Sequence, residues 1–204
     1  MHDDEVRQAQ RRRLLQAGAW AVAAVPALSA GWLAAGPVSA QPADEAVLHR
    51  QLDEATWPAE IVRLADDYLQ RFPAGPAASQ ARSLRERAQQ AAQAIARSDV
   101  KLYRSAFEPP HPTPAALREL RSAALGDHDA AWRIARASPH GDSGDDHRYV
   151  GWLQFAAMLG SDGASYELAL HYRKRGQPAL AARYEARAIE LGFTPPPALD
   201  HVRK

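Results

Sequence analysis

Between residues 58 and 72 the chain alternates between two faces. Ile61, Leu64, Ala65, Tyr68, Leu69 and Phe72 recur at three- and four-residue steps, with Arg63, Asp66, Asp67 and Arg71 between them. That spacing gathers the apolar set on one side of a helix. Pro58 falls in its first turn, where a missing N–H costs little. Pro73-Ala74-Gly75-Pro76 ends the run. A weaker pattern at Val47, Leu48 and Leu52 predicts a preceding helix over 43–55. From Pro76, the positions Ala81, Leu84, Ala88, Ala91, Ile95 and Leu102 predict a long helix to about Ser98, with Arg104 as its furthest limit. Its stripe is narrow and rich in Ala. Too few heptads follow for a free coiled coil, so the pattern predicts a hairpin with the preceding helix.

A breaker, Glu108-Pro109-Pro110-His111-Pro112-Thr113-Pro114, separates residues 41–107 from the second half. Thr113 followed by Pro114 reads as an N-cap and a first helical proline. Beyond it the chain repeats. Leu125-Gly126 recurs as Leu159-Gly160 and Leu191-Gly192, at spacings of 34 and 32 residues. At the first offset Ala130 matches Ala164, Trp132 matches Tyr166, Ile134 matches Leu168 and Ala135 matches Ala169. Each Leu-Gly closes an apolar helical pattern, where Gly supplies a left-handed cap and a sharp turn. Ala181, Tyr184, Ala188 and Leu191 continue the stripe. The unit is helix, glycine turn, helix, loop.

Composition agrees with helices. The 204 residues include 44 Ala, 15 Pro, 12 Gly and no Cys, and Ala is the best helix former. Without Cys there is no disulfide framework, thiolate zinc site or cysteine nucleophile. A formal net charge of +1 lacks the basic footprint of a nucleic-acid binder.

Residues 1–40 read as an address rather than as part of the fold. Arg11, Arg12 and Arg13 precede Leu14 and Leu15, and an apolar stretch runs to about Leu33. Pro37-Val38-Ser39-Ala40 ends it, with a predicted cut between Ala40 and Gln41. This leader resembles bacterial twin-arginine export signals, with Sec export as the alternative. Gly18, Pro26, Gly31, Gly36 and Pro37 interrupt the apolar run, favouring a cleaved leader over an anchor. The remaining 164 residues carry 21 Lys and Arg against 21 Asp and Glu. They contain no second run long enough to span a membrane.

The stretch Phe155-Ala156-Ala157-Met158-Leu159-Gly160, with Ala164, Leu168-Ala169, Tyr172, Gly176, Ala182, Tyr184 and Ala188, resembles a Sel1-like repeat. The resemblance covers about residues 115–193. The copy at 125–160 departs from it, having Ala137-Ser138 where an aromatic is expected and a longer polar loop at 139–146. Residues 58–98 are similar to tetratricopeptide hairpins of bacterial envelope proteins. The resemblance implies an all-α chain, a short right-handed α-solenoid of helical hairpins. Its parts would be tetratricopeptide-like hairpins at 41–107, a Pro-rich linker at 108–114, Sel1-like repeats at 115–193 and a tail at 194–204. It also implies no catalytic residues, no cofactor and binding of an envelope protein or peptide in the periplasm. The alternatives are a small envelope enzyme or accessory subunit of a co-exported enzyme complex, and a glycan-binding module.

Candidate chemistry is sparse. His128 lies between Asp127 and Asp129, and His140, Asp142, Asp145, Asp146 and His147 crowd one loop. Neither group has the spacing of a metal site. Asp127 and Asp146 read better as helix-capping acids, and Arg173-Lys174-Arg175 as charge complementing a helix end before Gly176. Trp132 and Tyr166 occupy equivalent repeat positions, so both are expected in the core or both in a groove. On the helix from Ala164, the residues Leu168, Ala169 and Tyr172 are expected to be buried. Glu167, Leu170, His171 and Lys174 point elsewhere. With Trp132, Arg133, Arg136 and Tyr166 they form the candidate partner-binding face.

Replacing Arg11 and Arg12 together by Lys is expected to leave precursor in the cytoplasm, because Lys does not reproduce a guanidinium pair. Fractionation of a strain lacking the twin-arginine translocase checks the route, since normal export there would assign Sec. N-terminal sequencing of the exported form should begin at Gln41 or its cyclised product.

Overall fold

The computed structural model describes residues 42–139 and 146–194. Compactness divides the chain into Met1–Ser39 and Ala40–Lys204, and every described residue belongs to the second unit. Arg11, Arg12, Leu14, Leu15, Ala40 and Gln41 lie outside the described residues. Among those described there are eight α-helices and no strand, an all-α arrangement. No described helix is long and apolar enough to cross a membrane.

The helices are α1 (Pro42–Glu54), α2 (Pro58–Arg71), α3 (Ala78–Ile95), α4 (Pro114–Ala124), α5 (His128–Ala137), α6 (His147–Leu159), α7 (Asp162–Lys174) and α8 (Pro178–Glu190). Their starts follow from local chemistry. Thr113 accepts the Ala116 N–H at 3.1 Å, and Asp127 accepts from Asp129 and Ala130 at 3.0 Å. Ser161 accepts from Ala164 at 3.2 Å. Each satisfies donors that a helix start leaves unpaired. Asp146 departs from the expected capping role. It makes no side-chain cap, and its carboxylate instead accepts from Arg175 at 2.6 Å.

Gly126, Gly160 and Gly192 take φ values of 89°, 107° and 99°. At Gly160 the chain reverses in one residue. The Ser161 N–H donates to the Ala156 carbonyl at 3.0 Å and the Gly160 N–H to Ala157 at 3.2 Å. That pair satisfies two of the carbonyls left open at the end of α6.

α6 is the centre of the fold. Seven consecutive residues, Gly151 to Ala157, are buried, which only a helix covered on every side achieves. α3, α5 and α7 pack on it. Its remaining side is covered by the segment after α3. The sequence pattern had extended α3 toward Ser98 or beyond, but the helix ends at Ile95. Val100 and Leu102 are then buried from an extended chain. That segment lies against Gly151. The Lys101 carbonyl lies where a Cβ on Gly151 would be, 2.5 Å from that position. The Lys101 N–H donates to Gln154 Oε1 at 2.8 Å. Gln154 Nε2 in turn donates to the Tyr172 hydroxyl at 3.0 Å, so a buried amide is satisfied from both sides.

A single 3-10 turn, Arg104–Phe107, follows. It drives Phe107, fully buried, into a ring cluster with Trp57 at 5.2 Å, Trp152 at 4.7 Å and Phe155 at 6.1 Å. α1 joins through Leu48 and Leu52 and through the Tyr68 hydroxyl, which donates to Glu45. Arg121 on α4 donates to the Leu52 and Ala55 carbonyls at 2.9 and 2.8 Å, closing the C-terminal end of α1.

Two glycines therefore differ in what they tolerate. Gly160 has open space around a Cβ, so Gly160→Ala should cost only the left-handed strain, about 1 kcal/mol. Gly151→Ala has to displace backbone and break the Lys101–Gln154 bond, costing roughly 3 kcal/mol. Urea denaturation monitored by circular dichroism checks the order. Equal midpoints for the two variants would mean that the 100–102 segment does not lie against α6.

Candidate functional site

The residues singled out on α5 and α7 share one region, and its geometry is built from the inside outward. Trp132 is half-buried, its six-membered ring seated on Gly163. A Cβ at that glycine would lie 2.7 Å from the ring, so α5 and α7 approach through a residue without a side chain. The Arg136 guanidinium stands 5.5 Å above the Trp132 ring. It also reaches Glu167 at 3.9 Å. Glu167 accepts a second contact, the Tyr149 hydroxyl of α6, at 3.2 Å. Burial, and next the Glu167 charge, hold the Tyr149 proton well above the usual phenol range. Tyr149 remains a neutral donor there.

His171 completes this array. Its ring sits 6.4 Å from Tyr149 and 5.4 Å from Tyr172, edge-on to both. Burial lowers its proton affinity below that of an ordinary imidazole. Arg175 and Lys174 act in the same direction, and Asp146 opposes them. Trp132, Arg136, Glu167 and His171 are thus joined through Tyr149, which the sequence pattern had not flagged. Its signal was present: Tyr149 falls on the first turn of a helix whose next turns are apolar except for Gln154.

The other candidates separate. Arg133 is held by Glu119 of α4 at 3.1 Å. Tyr166 turns to the opposite side of α7 and stacks on Phe193, at 4.4 Å and 23°. Trp132 and Tyr166 are therefore neither both core nor both groove. Each is half-buried, on a different neighbour: Trp132 on Gly163 and Tyr166 on Phe193. Leu168 and Ala169 are buried, Tyr172 is half-buried, and Leu170 is 43 % exposed. Lys174 is exposed on the last turn. Its neighbours do more than complement the helix end: Arg173 pairs with Glu185 at 2.6 Å and Arg175 with Asp146 at 2.6 Å.

Among the described residues no group of three or more His, Asp or Glu side chains is placed to hold a metal ion. His140, Asp142 and Asp145 lie outside them. His128 Nδ1 is 3.2 Å from Asp129.

A second feature was not visible in the pattern. A groove of about 610 Å³ runs between the end of α3 and α8, lined by Arg97, Arg183, Tyr184, Arg187 and Glu190 among others. Asp99 clasps its end, accepting from Arg97 at 3.1 Å and Arg183 at 2.8 Å. The Arg97 hydrogen bond, ahead of the others, lowers the Asp99 carboxyl below its usual range. Burial pushes the Tyr184 phenol up to about 12. Arg183 and Arg187 stand four residues apart on α8, a spacing that marks a shared face but names no partner 84 positions upstream.

Comparison with models of protein families, with curated proteins and with solved structures finds no match for this chain.

His171 ties the region to pH. The unfolded chain takes up its proton near 6.5, whereas the folded chain resists it. Stability is therefore complete above that value and is lost as pH falls through the unfolded pKa toward the lower folded one. His171→Gln should flatten the fall in thermal midpoint between pH 7 and about pH 5. An unchanged slope, measured by calorimetry, would mean that His171 titrates as freely in the fold as outside it.

Proposed function

We propose that this chain is an exported, non-catalytic protein-binding module of the bacterial periplasm. On this reading it is a short right-handed solenoid of Sel1-like and tetratricopeptide-like hairpins. The observation that carries it is the shared outer side of α5 and α7. There Arg136, Glu167, Tyr149 and His171 are locked to one another, and Leu170 stands exposed beside them. Groups committed to pairs and stacks fix a shape, and a fixed shape lowers the entropy lost on docking. An exposed aliphatic side chain within a charged surround supplies the apolar contact that an interface centre needs. Antiparallel helix pairs ended by glycine turns supply the rigid support. The partner that fits is an extended peptide or a helix of another envelope protein.

A photo-activatable residue at position 170 tests this in living cells. A discrete crosslinked product, suppressed by an unlabelled wild-type competitor but not by a Leu170→Glu competitor, is the expected outcome. Leu170→Glu and Lys174→Glu should weaken partner capture by more than tenfold while shifting the thermal midpoint by less than about 2 °C, since both side chains are exposed. His171→Glu would not serve, because it enters the packing against Tyr149. Crosslinking absent at position 170 yet present at Arg183 would move the binding site to the α3–α8 groove. Absence at both would reject the binding role.

A further inference from the structure

A smaller cleft, of about 230 Å³, opens beside the N-terminal end of α6 and the segment after α3. It is lined by Lys101, Tyr103, Ser105, His147 and Arg148, with Leu102 and Ala106. We propose that it binds a saccharide unit carrying an acidic group, a carboxylate or a phosphate, with Tyr103 against the sugar ring.

The charges are the first support. Among the described residues no acidic side chain lines the cleft, and Lys101, His147 and Arg148 make no ion pair there. Several other arginines are neutralised across elements, although Arg50, Arg63, Arg87 and Arg118 make no ion pair among the described residues either. Arg85, Arg104, Arg133 and Arg173 each hold a carboxylate on a neighbouring element. Gathering three cationic or proton-binding side chains without a counter-ion is electrostatically unfavourable, and an anion relieves it. Arg148 offers a planar fork suited to carboxylate or phosphate, and Lys101 a rotatable ammonium.

Tyr103 is the second support. It is 69 % exposed, although its neighbours Leu102 and Ala106 are buried. The backbone that carries it is fixed. Lys101 N–H is tied to Gln154 at 2.8 Å, and the Tyr103 carbonyl accepts from Ala106 at 2.9 Å. Arg148 donates to the Ala106 carbonyl at 3.4 Å. An aromatic face held out of the core on a rigid support is costly in apolar exposure and ready for stacking, with a hydroxyl at its tip for hydrogen bonding. The cleft is smaller than the roughly 300–1,000 Å³ of sites for drug-sized ligands. It suits one ring and its acidic substituent. A flat phenol next to unpaired cations fits a ring bearing an acid better than an acidic peptide, which would not use the exposed face.

Isothermal titration of the purified protein with glucose 6-phosphate and with digalacturonic acid tests this. Glucose, inorganic phosphate and tetraglutamate serve as comparisons. Both anionic sugars should bind, and glucose should bind at least roughly tenfold more weakly, because the charged contacts dominate. Lys101→Gln should lower affinity for both anionic sugars by about fivefold or more, in a side chain whose exposure spares the fold. Tyr103→Ala should weaken the sugars similarly and leave inorganic phosphate unaffected. No binding by either anionic sugar up to about 10 mM, a range that covers even weak association, would overturn the proposal. So would equal affinity in Tyr103→Ala, or tighter binding of tetraglutamate than of the sugars, which would assign the cleft to acidic peptides.

Discussion

The need to cover α6 on every side shapes the rest of the molecule. A helix with seven successive buried residues has no polar face to give to water, so each surrounding element is placed by the side of α6 it covers. Phe107 shows how strongly this acts. It comes from a four-residue 3-10 turn with little helical stability of its own, yet it lies fully buried among Trp57, Trp152 and Phe155. Truncating a ring in such a position costs roughly 3–5 kcal/mol, a large part of the stability of a domain this size. The cluster joins the start of α2, the segment before the proline-rich stretch and the middle of α6. The described helices on both sides of residues 108–114 thus share one core.

Close approach is bought with missing side chains. Gly151 admits the Lys101 carbonyl and Gly163 admits the Trp132 ring, while Ala123, Ala124, Ala130, Ala131, Ala156, Ala157 and Ala164 are fully buried. Small residues bring backbones together but bury little area each. The large rings and a few exact polar contacts therefore have to supply what Ala cannot. Gln154, bonded at both ends of its amide, and Arg121, closing the end of α1, are such contacts.

The same economy governs the surface. Most charged side chains on α5, α7 and α8 are tied across helices, as in Arg133–Glu119, Arg136–Glu167, Arg173–Glu185 and Arg183–Asp99. Exposed pairs of this kind add little stability singly, but they orient the side chains that bound the α5–α7 face and the α3–α8 groove. The cleft at Tyr103 is built on the opposite principle: its backbone is pinned while, among the described residues, its cationic side chains make no ion pair. Rigid support with uncommitted donors distinguishes a surface prepared for a ligand from one completed within the chain.

Periodicity, together with proline, N-cap and glycine signals, marked most of the described helices, because a buried stripe and a helix end are both written in neighbouring positions. The same holds for the left-handed glycines after α4, α6 and α8, since a helix end is a local event. The exposed and buried sides of α7 were also legible, from Leu168 and Ala169 against Leu170. What the sequence did not contain was where one stripe meets another. The segment after α3 lies on Gly151, about fifty positions away, and no local propensity reports that contact. Tyr149 joined the α5–α7 array, and Trp132 and Tyr166 parted company, because equivalent repeat positions met different neighbours. Lys101, Tyr103 and Arg148 came to line one cleft only when the chain folded back across α6. Local patterns decide elements because hydrogen bonding within a helix spans four residues. Sites are decided by tertiary structure because their members are brought together by burial, which acts between residues at any separation.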